Sequence, residues 1–295
     1  MIKAEIIADS LNPKGKRLTT FILEYPRFIH AEIMTHRVFS KNAASSRAIP
    51  IEKMIQQVID NPAMPVWWGK NQSGMQAKEE VDDYTKECAK LAWFNSRDQA
   101  IQNVKGFSAL GIHKQIANRI LEPWFNIRII LTGTDFENFF ALRAHKDAQP
   151  EFQVLAFKML ELYNTSTPKQ LKVGEWHIPF GCNFDDIKIK NLICYNDIKG
   201  HDSIREKELE KAKIKIAIAR CARVSYWNFE GKDDYTKDIE TCDKLFGSIP
   251  RHLSPAEHVA QALDSDEYIG NFCGFKQYRK IYLDENLKDS RVIKK

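Results

Sequence analysis

Two arginines, a histidine, an asparagine and three serine hydroxyls fall within His36–Arg47, which reads His-Arg-Val-Phe-Ser-Lys-Asn-Ala-Ala-Ser-Ser-Arg. These groups suit an anionic ligand with hydrogen-bonding edges. Arginine offers a fixed fork of donors to a phosphate or a nucleobase, and serine hydroxyls complete a phosphate cradle. Arg47 with Ser45 and Ser46 can supply such a grip. A second set lies downstream in Asn138-Phe-Phe-Ala-Leu-Arg143, followed by Ala148-Gln149 and Glu151, and a third in His113-Lys-Gln-Ile-Ala-Asn-Arg119. Arg143 can stabilise negative charge developing on a bound ring, in the manner of an oxyanion hole. Taken singly, each arginine also reads as a solvated or ion-paired surface residue.

The elements that must position these residues follow from patterning. Lys3–Ala8 and Arg17–Tyr25 are rich in β-branched and aromatic residues and read as strands, with Asn12-Pro-Lys-Gly15 as the turn between them. Pro26 suits a first helical turn, and Phe28, Ile29, Ile33 and Met34 carry the helical period that delivers Thr35, His36 and Arg37 at a helix end. Ile51–Asp60 and 76–105 read as helices, with Trp67–Gly74 an exposed loop between them. His113–Leu121 is a short helix stopped at Pro123, and Phe125–Leu131 alternates as a strand. Thr134-Asp-Phe-Glu137 has the form of a capping box opening a long helix, bent or interrupted near Pro150. Pro168–Asp197 is loop-rich, Ile204–Cys221 is a charged helix with an apolar stripe, and Ser254-Pro-Ala-Glu257 is a second capping box. Tyr268–Leu283 reads as extended. Without a repeat, a low-complexity tract or a clear linker, a single domain over 1–295 is expected.

Composition bounds the class. The chain has 295 residues, 28% charged and 43% hydrophobic, as in an ordinary globular protein. A net charge of +5 is too small to argue for nucleic acid but suits a phosphorylated substrate. No apolar run is long enough to span a bilayer, and Met-Ile-Lys-Ala-Glu does not resemble a signal peptide. Cys88, Cys182, Cys194, Cys221, Cys242 and Cys273 form no Cys-x-x-Cys pair, so reduced thiols in a cytoplasmic protein are expected. No metal motif, Rossmann glycine fingerprint or phosphate-binding Walker loop is present.

The spacing of the first segment resembles the signature of the flavin-dependent thymidylate synthases, His-Arg-x-x-Ser-x-Asn-x-x-Ser-x-Arg, matched by His36, Arg37, Ser40, Asn42, Ser45 and Arg47. The segment from Asn138 resembles the family's Asn-Phe-x-x-Leu-Arg-x-x-x-x-Ala-Gln-x-Glu helix. The sequence departs from the family at Thr35, Ala43 and Asp147. The resemblance implies an α/β fold of α+β type, an antiparallel sheet packed with long helices. It implies reductive methylation of dUMP to dTMP, with FAD as cofactor and methylenetetrahydrofolate and NAD(P)H as co-substrates. It implies a homo-oligomer, a tetramer in this family, with the flavin in a cleft shared between subunits. The departures leave open another pyrimidine nucleotide, hydroxymethyl transfer, or a homologue that binds nucleotide without turnover.

The resemblance also implies roles. Arg143, Ser45 and His36 are expected in catalysis; Arg47, Ser45, Ser46, Arg119 and Arg143 at the substrate; and His36, Arg37, Asn42, Asn138, Thr132, Ser225 and His258 at the flavin. Either Arg119 or its neighbour Asn118 holds the family's third arginine position. Ala222-Arg-Val-Ser225 and Ser254-Pro-Ala-Glu-His258 resemble Ala-Arg-Val-Ser and Thr-Pro-Phe-Glu-His, which precede the signature in common members. Here they follow it, in the same internal order. A circular permutation is therefore expected, with the usual N-terminal elements relocated to about 204–283. Such a rearrangement is tolerable where the original termini lie close together on the surface.

Overall fold

The computed structural model describes residues 2–224, 234–283 and 285. The chain opens with the antiparallel hairpin β1 (Lys3–Leu11) and β2 (Arg17–Pro26), turned at Gly15, whose φ of +76° is open to glycine at little cost. A 3-10 turn leads into α1 (His30–Met34), which ends just before the signature segment. The segment Ser40–Ala43 forms strand β3, and α2 (Ile51–Asp60) and the long α3 (Asp83–Ala109) follow. After α4 (Lys114–Ala117) and a 3-10 helix over Asn118–Trp124 come β4 (Asn126–Gly133), α5 (Glu137–Arg143) and α6 (Pro150–Thr165). Short strands β5 (Lys169–Gln170) and β6 (Trp176–His177) lead to α7 (Asp186–Leu192), α8 (Asp202–Val224) and α9 (Tyr235–Gly247). Strands β7 (Ala260–Ala262), β8 (Tyr268–Ile269), β9 (Phe272–Cys273) and β10 (Phe275–Gln277) close the described fold.

The main sheet has the order β3-β4-β2-β1-β5, antiparallel except where β5 joins the end of β1. It is covered on both faces. On one, Phe21, Leu23 and Tyr25 of β2 and Ile127, Ile129 and Leu131 of β4 share a core with α2, α3, α5 and α6. On the other, Ile7 and Ile130 meet Cys221 and Val224 of α8. A second sheet, β10-β7-β6, flanks α8 on that side. The α/β architecture expected from the sequence is thus present, with an antiparallel sheet between helices.

Several local readings change. Phe125–Leu131 was expected to alternate; β4 is buried almost throughout because it lies between two strands and two layers. The helix expected from residue 76 starts at Asp83, where the Asp82 carboxylate accepts from the Thr85 amide and caps it. Neither expected capping box caps a long helix. The Thr134 hydroxyl instead accepts from the Cys273 amide and donates to Asp135, so α5 starts at Glu137 without a side-chain cap. Ser254–Glu257 is a single 3-10 turn followed by β7. Within 168–197 the helix α7 forms, capped by Asp185, and the extended reading of 268–283 breaks into three short strands and a 3-10 turn. The helix near Pro150 is broken outright, with Pro150 opening α6.

Two long-range ties close the second layer. The Asn12 amide donates to the carbonyls of Leu263, Ser265 and Gly274 at 2.9–3.1 Å. A Cβ at Gly274, whose φ is +74°, would meet Asn12 Nδ2 at 2.3 Å. Asp238 of α9 is buried between Arg220 and Arg223 of α8, at 3.4 and 2.7 Å. Among the described residues, no helix is long and apolar enough to cross a membrane.

Candidate functional site

The turn that follows α1 aims His36 at the aromatic wall formed by α5, α6 and Phe39, the residue before β3. Its ring lies 5.1 Å from Phe139, edge to face, and within 6.3 Å of Phe39 and Phe152. Arg143, at the C-terminus of α5, donates from Nε to His36 Nε2 at 3.0 Å. Its guanidinium lies 4.7 Å over the Phe152 ring, and Nη1 is 3.8 Å from Glu32 on α1. Three neighbours thus fix one arginine: an acceptor, an aromatic face and a carboxylate. Burial, the Arg143 charge and Lys41 together push the His36 pKa down to about 4. At neutral pH His36 is therefore uncharged, and the arginine bond requires the tautomer with Nδ1 protonated.

The signature continues along β3, where alternate side chains divide between the two faces. Ser40 and Asn42 point into the layer below, while Lys41 is half-buried and donates to the His36 carbonyl. Ser40 accepts from the Gln277 amide at 2.8 Å, and the Asn42 amide donates to the Cys221 carbonyl of α8 at 3.2 Å. Opposite Ser40 in register is Thr132, fully buried, with its hydroxyl 2.8 Å from His258 Nδ1 and 2.8 Å from Thr20. Thr20 in turn meets His177 Nε2, whose Nδ1 reaches Ser10 at 2.9 Å. Ser10, His177, Thr20, Thr132 and His258 form one buried polar chain. Burial lowers the pKa of both histidines to about 3. His258 Nε2 has no hydrogen-bond partner among the described residues.

Three residues expected at the flavin, Asn42, Thr132 and His258, present almost no surface. The Asn42 amide, the Thr132 hydroxyl and His258 Nδ1 bind the layers together beneath β3, while His258 Nε2 is left unpartnered among the described residues. They form the wall behind the site. Ser225 lies outside the described residues. Arg37 and Asn138 are exposed beside the wall, on the turn before β3 and on α5.

The phosphate-grip residues gather at the other end of the segment. Ser46 is buried, and its hydroxyl donates to Glu122 Oε1 at 2.6 Å. Arg119 donates to the same oxygen at 2.7 Å. Asn118 is fully buried and donates to the carbonyls of Ser46 and Ile49, so it braces the turn from below. Of the two residues competing for the third arginine position, Arg119 is the one with exposed side chain. Ser45 is half-buried and Arg47 exposed on that turn. The structure therefore sets Ser45, Arg47 and Arg119 toward solvent, and commits Ser46 to Glu122.

Glu32, Phe152 and Glu122 were not singled out from the sequence. Glu122 is three residues after Arg119, a spacing that places helical side chains on one face, whereas Glu32 lies in α1 and His36 in the turn beyond its end, so no helical spacing links them. Phe152 carries no such signal. A cavity of about 700 Å³ opens elsewhere, along the edge of β1, lined by Ile6, Glu24, Arg128, Arg220 and exposed Cys182 among others. It contains no residue of the signature. Among the described residues no cluster of His, Cys, Asp or Glu could hold a metal ion.

The family model described as "Thymidylate synthase complementing protein", Thy1, matches residues 17–169, just over half the chain, from β2 to the first residue of β5. Two solved structures are similar to it. One is the UMP/dUMP methylase PolB from Streptomyces cacaoi bound with 5-Br dUMP, at 14% identity and a TM-score of 0.46, covering 55% of this chain and 90% of that one. The other is the same methylase bound with 5-Br UMP, at 15% identity and a TM-score of 0.48, covering 55% and 88%. No curated protein matches the chain.

Proposed function

The chain belongs to the Thy1, thymidylate synthase complementing protein, family, and on that premise we propose that it methylates dUMP to dTMP as a flavin-dependent thymidylate synthase. The carbon donor is methylenetetrahydrofolate and the electron source NAD(P)H. Membership of the family makes it an enzyme of methyltransferase type. The observation that carries the finer reading is the fixed Arg143: an arginine held by His36, Glu32 and Phe152 beside the signature segment.

The chemistry needs three things of the protein. The ring must be polarised, the phosphate held, and a reductant kept against the one-carbon donor. Arg143 supplies the first, since a preoriented guanidinium stabilises charge developing on a uracil without reorganising. His36, neutral and accepting from Arg143 Nε, orients that guanidinium and leaves its outer edge for the ring. Arg47 and Ser45 supply the second. The third would fall to a flavin, which when bound would supply the hydride chemistry that no side chain can. Exposed Arg37 and Asn138 offer a donor fork and an amide to hold it, and the layer containing Asn42, Thr132 and His258 stiffens the strand behind them. These residues fit a flavin edge at the surface of one copy, in keeping with a cleft completed by a second copy in a homo-oligomer.

The permuted order belongs to the same reading. It is supported by the turn Ser254–His258, which packs on β3 so that His258 meets Thr132 and Glu257 acts on Lys41. Residues distant in sequence thus lie against the signature strand. The protein should purify yellow with flavin absorbance and release tritium from ring-labelled dUMP when given folate and NAD(P)H. Flavin absorbance without tritium release would leave a nucleotide-binding relative and overturn the dTMP reaction.

A further inference from the structure

Glu122 holds two of the groups that a phosphate would use. A single carboxylate oxygen accepts from Ser46 Oγ at 2.6 Å and from Arg119 Nη1 at 2.7 Å. The two partners differ in burial. Ser46 is 6% exposed and its backbone is braced by Asn118, whereas the Arg119 side chain is 50% exposed and the Glu122 side chain 20%. A carboxylate and a phosphate oxygen present the same chemistry to a guanidinium, a short charge-assisted hydrogen bond. We propose that Glu122 is a specificity-determining residue of the nucleotide grip, a resident anion that docks Arg119 in the empty site and releases it to the incoming phosphate.

The proposal rests on the reading of Arg47 and Ser45, the residues on either side of Ser46, as the phosphate grip. The half-exposed ion pair is cheap to break, because solvent screens it and competes for both partners. Ser46 stays with Glu122, so the turn keeps its shape while Arg119 swings. Glu122 then sets a charge threshold for anions, because every ligand that uses Arg119 must first displace the carboxylate. It repels an anion that does not bring enough charge to capture the arginine, and it leaves a neutral nucleoside, which has no charge to offer Arg119, unaffected. The phosphate of a nucleotide passes that threshold, at the cost of the ion pair it breaks.

The test compares dUMP with deoxyuridine on the purified protein, by titration calorimetry. Glu122→Gln keeps the size and an oxygen acceptor for Ser46 but removes the competing charge, and unchanged near-UV circular dichroism checks the turn. Affinity for dUMP should rise roughly fivefold, the worth of an exposed ion pair, with deoxyuridine unchanged. Arg119→Ala should then weaken dUMP more in the Glu122→Gln background than in the parent, since the arginine no longer has a resting partner. Unchanged or weaker dUMP binding by a folded Glu122→Gln variant would make Glu122 a brace and overturn the proposal. So would an equal gain for deoxyuridine. Arg47→Ala separates this failure from that of the underlying reading. If it weakens dUMP and deoxyuridine alike, the phosphate is not gripped there and both ideas fall; if it weakens dUMP selectively, the grip stands whatever Glu122 does.

Discussion

At the scale of single residues the proposed chemistry depends on an arginine and contains no cysteine nucleophile. Arg143→Ala should lower turnover by about two to three orders of magnitude, the range for losing one preorganised stabilising group, while flavin absorbance persists. His36→Ala should lower it less, by about ten- to a hundredfold, as for a lost hydrogen bond to a charged group. His36→Gln, which keeps an acceptor, should recover part of that loss. Equal effects of the two His36 variants would remove the orienting role. The alternative route to thymidylate needs an activated thiolate. Cys182 is exposed at the β1-edge cavity, away from the signature, and Cys221 and Cys242 are buried with their thiols pushed up by desolvation. Cys182→Ala should therefore retain substantial flavin-dependent turnover. Trapping a covalent nucleotide on Cys182 would reverse the assignment.

At the scale of elements the buried chain from Ser10 to His258 makes the layer contact sensitive to acid. Both histidines have pKa values near 3 in the fold, against an ordinary value of 6.5. A base whose pKa is depressed by folding contributes its full stability above the unfolded value, and that contribution falls as pH drops from 6.5 toward 3. Each histidine therefore steepens the loss of stability across that window. Thermal midpoints measured between pH 7 and 4 should fall steeply, and His258→Gln should flatten the slope. An unchanged slope in that variant would show that other groups govern the acid limb.

The elements also show where the sequence was legible. The hairpin β1–β2, helix α2 and helix α8 stand at or near the boundaries their patterning implied, because each packs apolar residues against a large neighbour. Strand β3 was hidden in the signature itself. Its residues Ser-Lys-Asn-Ala have little strand preference, and pairing with β4 imposes the conformation. The two capping boxes failed because Thr134 is taken by the Cys273 amide across the fold, and because Ser254 opens only one turn before β7. The site was legible as a list of residues and not as a geometry. Arg143 meets His36 across 107 positions, a contact no local pattern encodes. Ser46 was read as a phosphate donor from its type, and only packing shows its hydroxyl turned inward to Glu122.

At the scale of the whole molecule, the proposed cleft between copies makes activity a property of the assembly. If Arg47 and Arg143 serve the same cleft from different copies, mixtures of inactive Arg47→Ala and Arg143→Ala proteins, unfolded and refolded together, should regain a measurable fraction of parental turnover. Native mass spectrometry on the same mixtures reports the number of subunits. Mixed assemblies that form and stay inactive would place both arginines in one copy's half of the site.

The Asn12 clamp carries a consequence for the timing of synthesis. Its nearest carbonyl partner lies 251 residues further along the chain. A ribosome adding about 5–20 residues per second reaches that partner roughly 12 to 50 seconds after Asn12 is made. Throughout that interval the Asn12 amide lacks its three carbonyls, and the face of β2 that holds Leu18 waits for Ala260, Phe272 and Phe275. The first hairpin to leave the ribosome is thus among the last to be covered. A chain interrupted before residue 260 would leave Leu18 and Leu171 without the rest of their cluster, a handle for chaperones and proteases that police unfinished products.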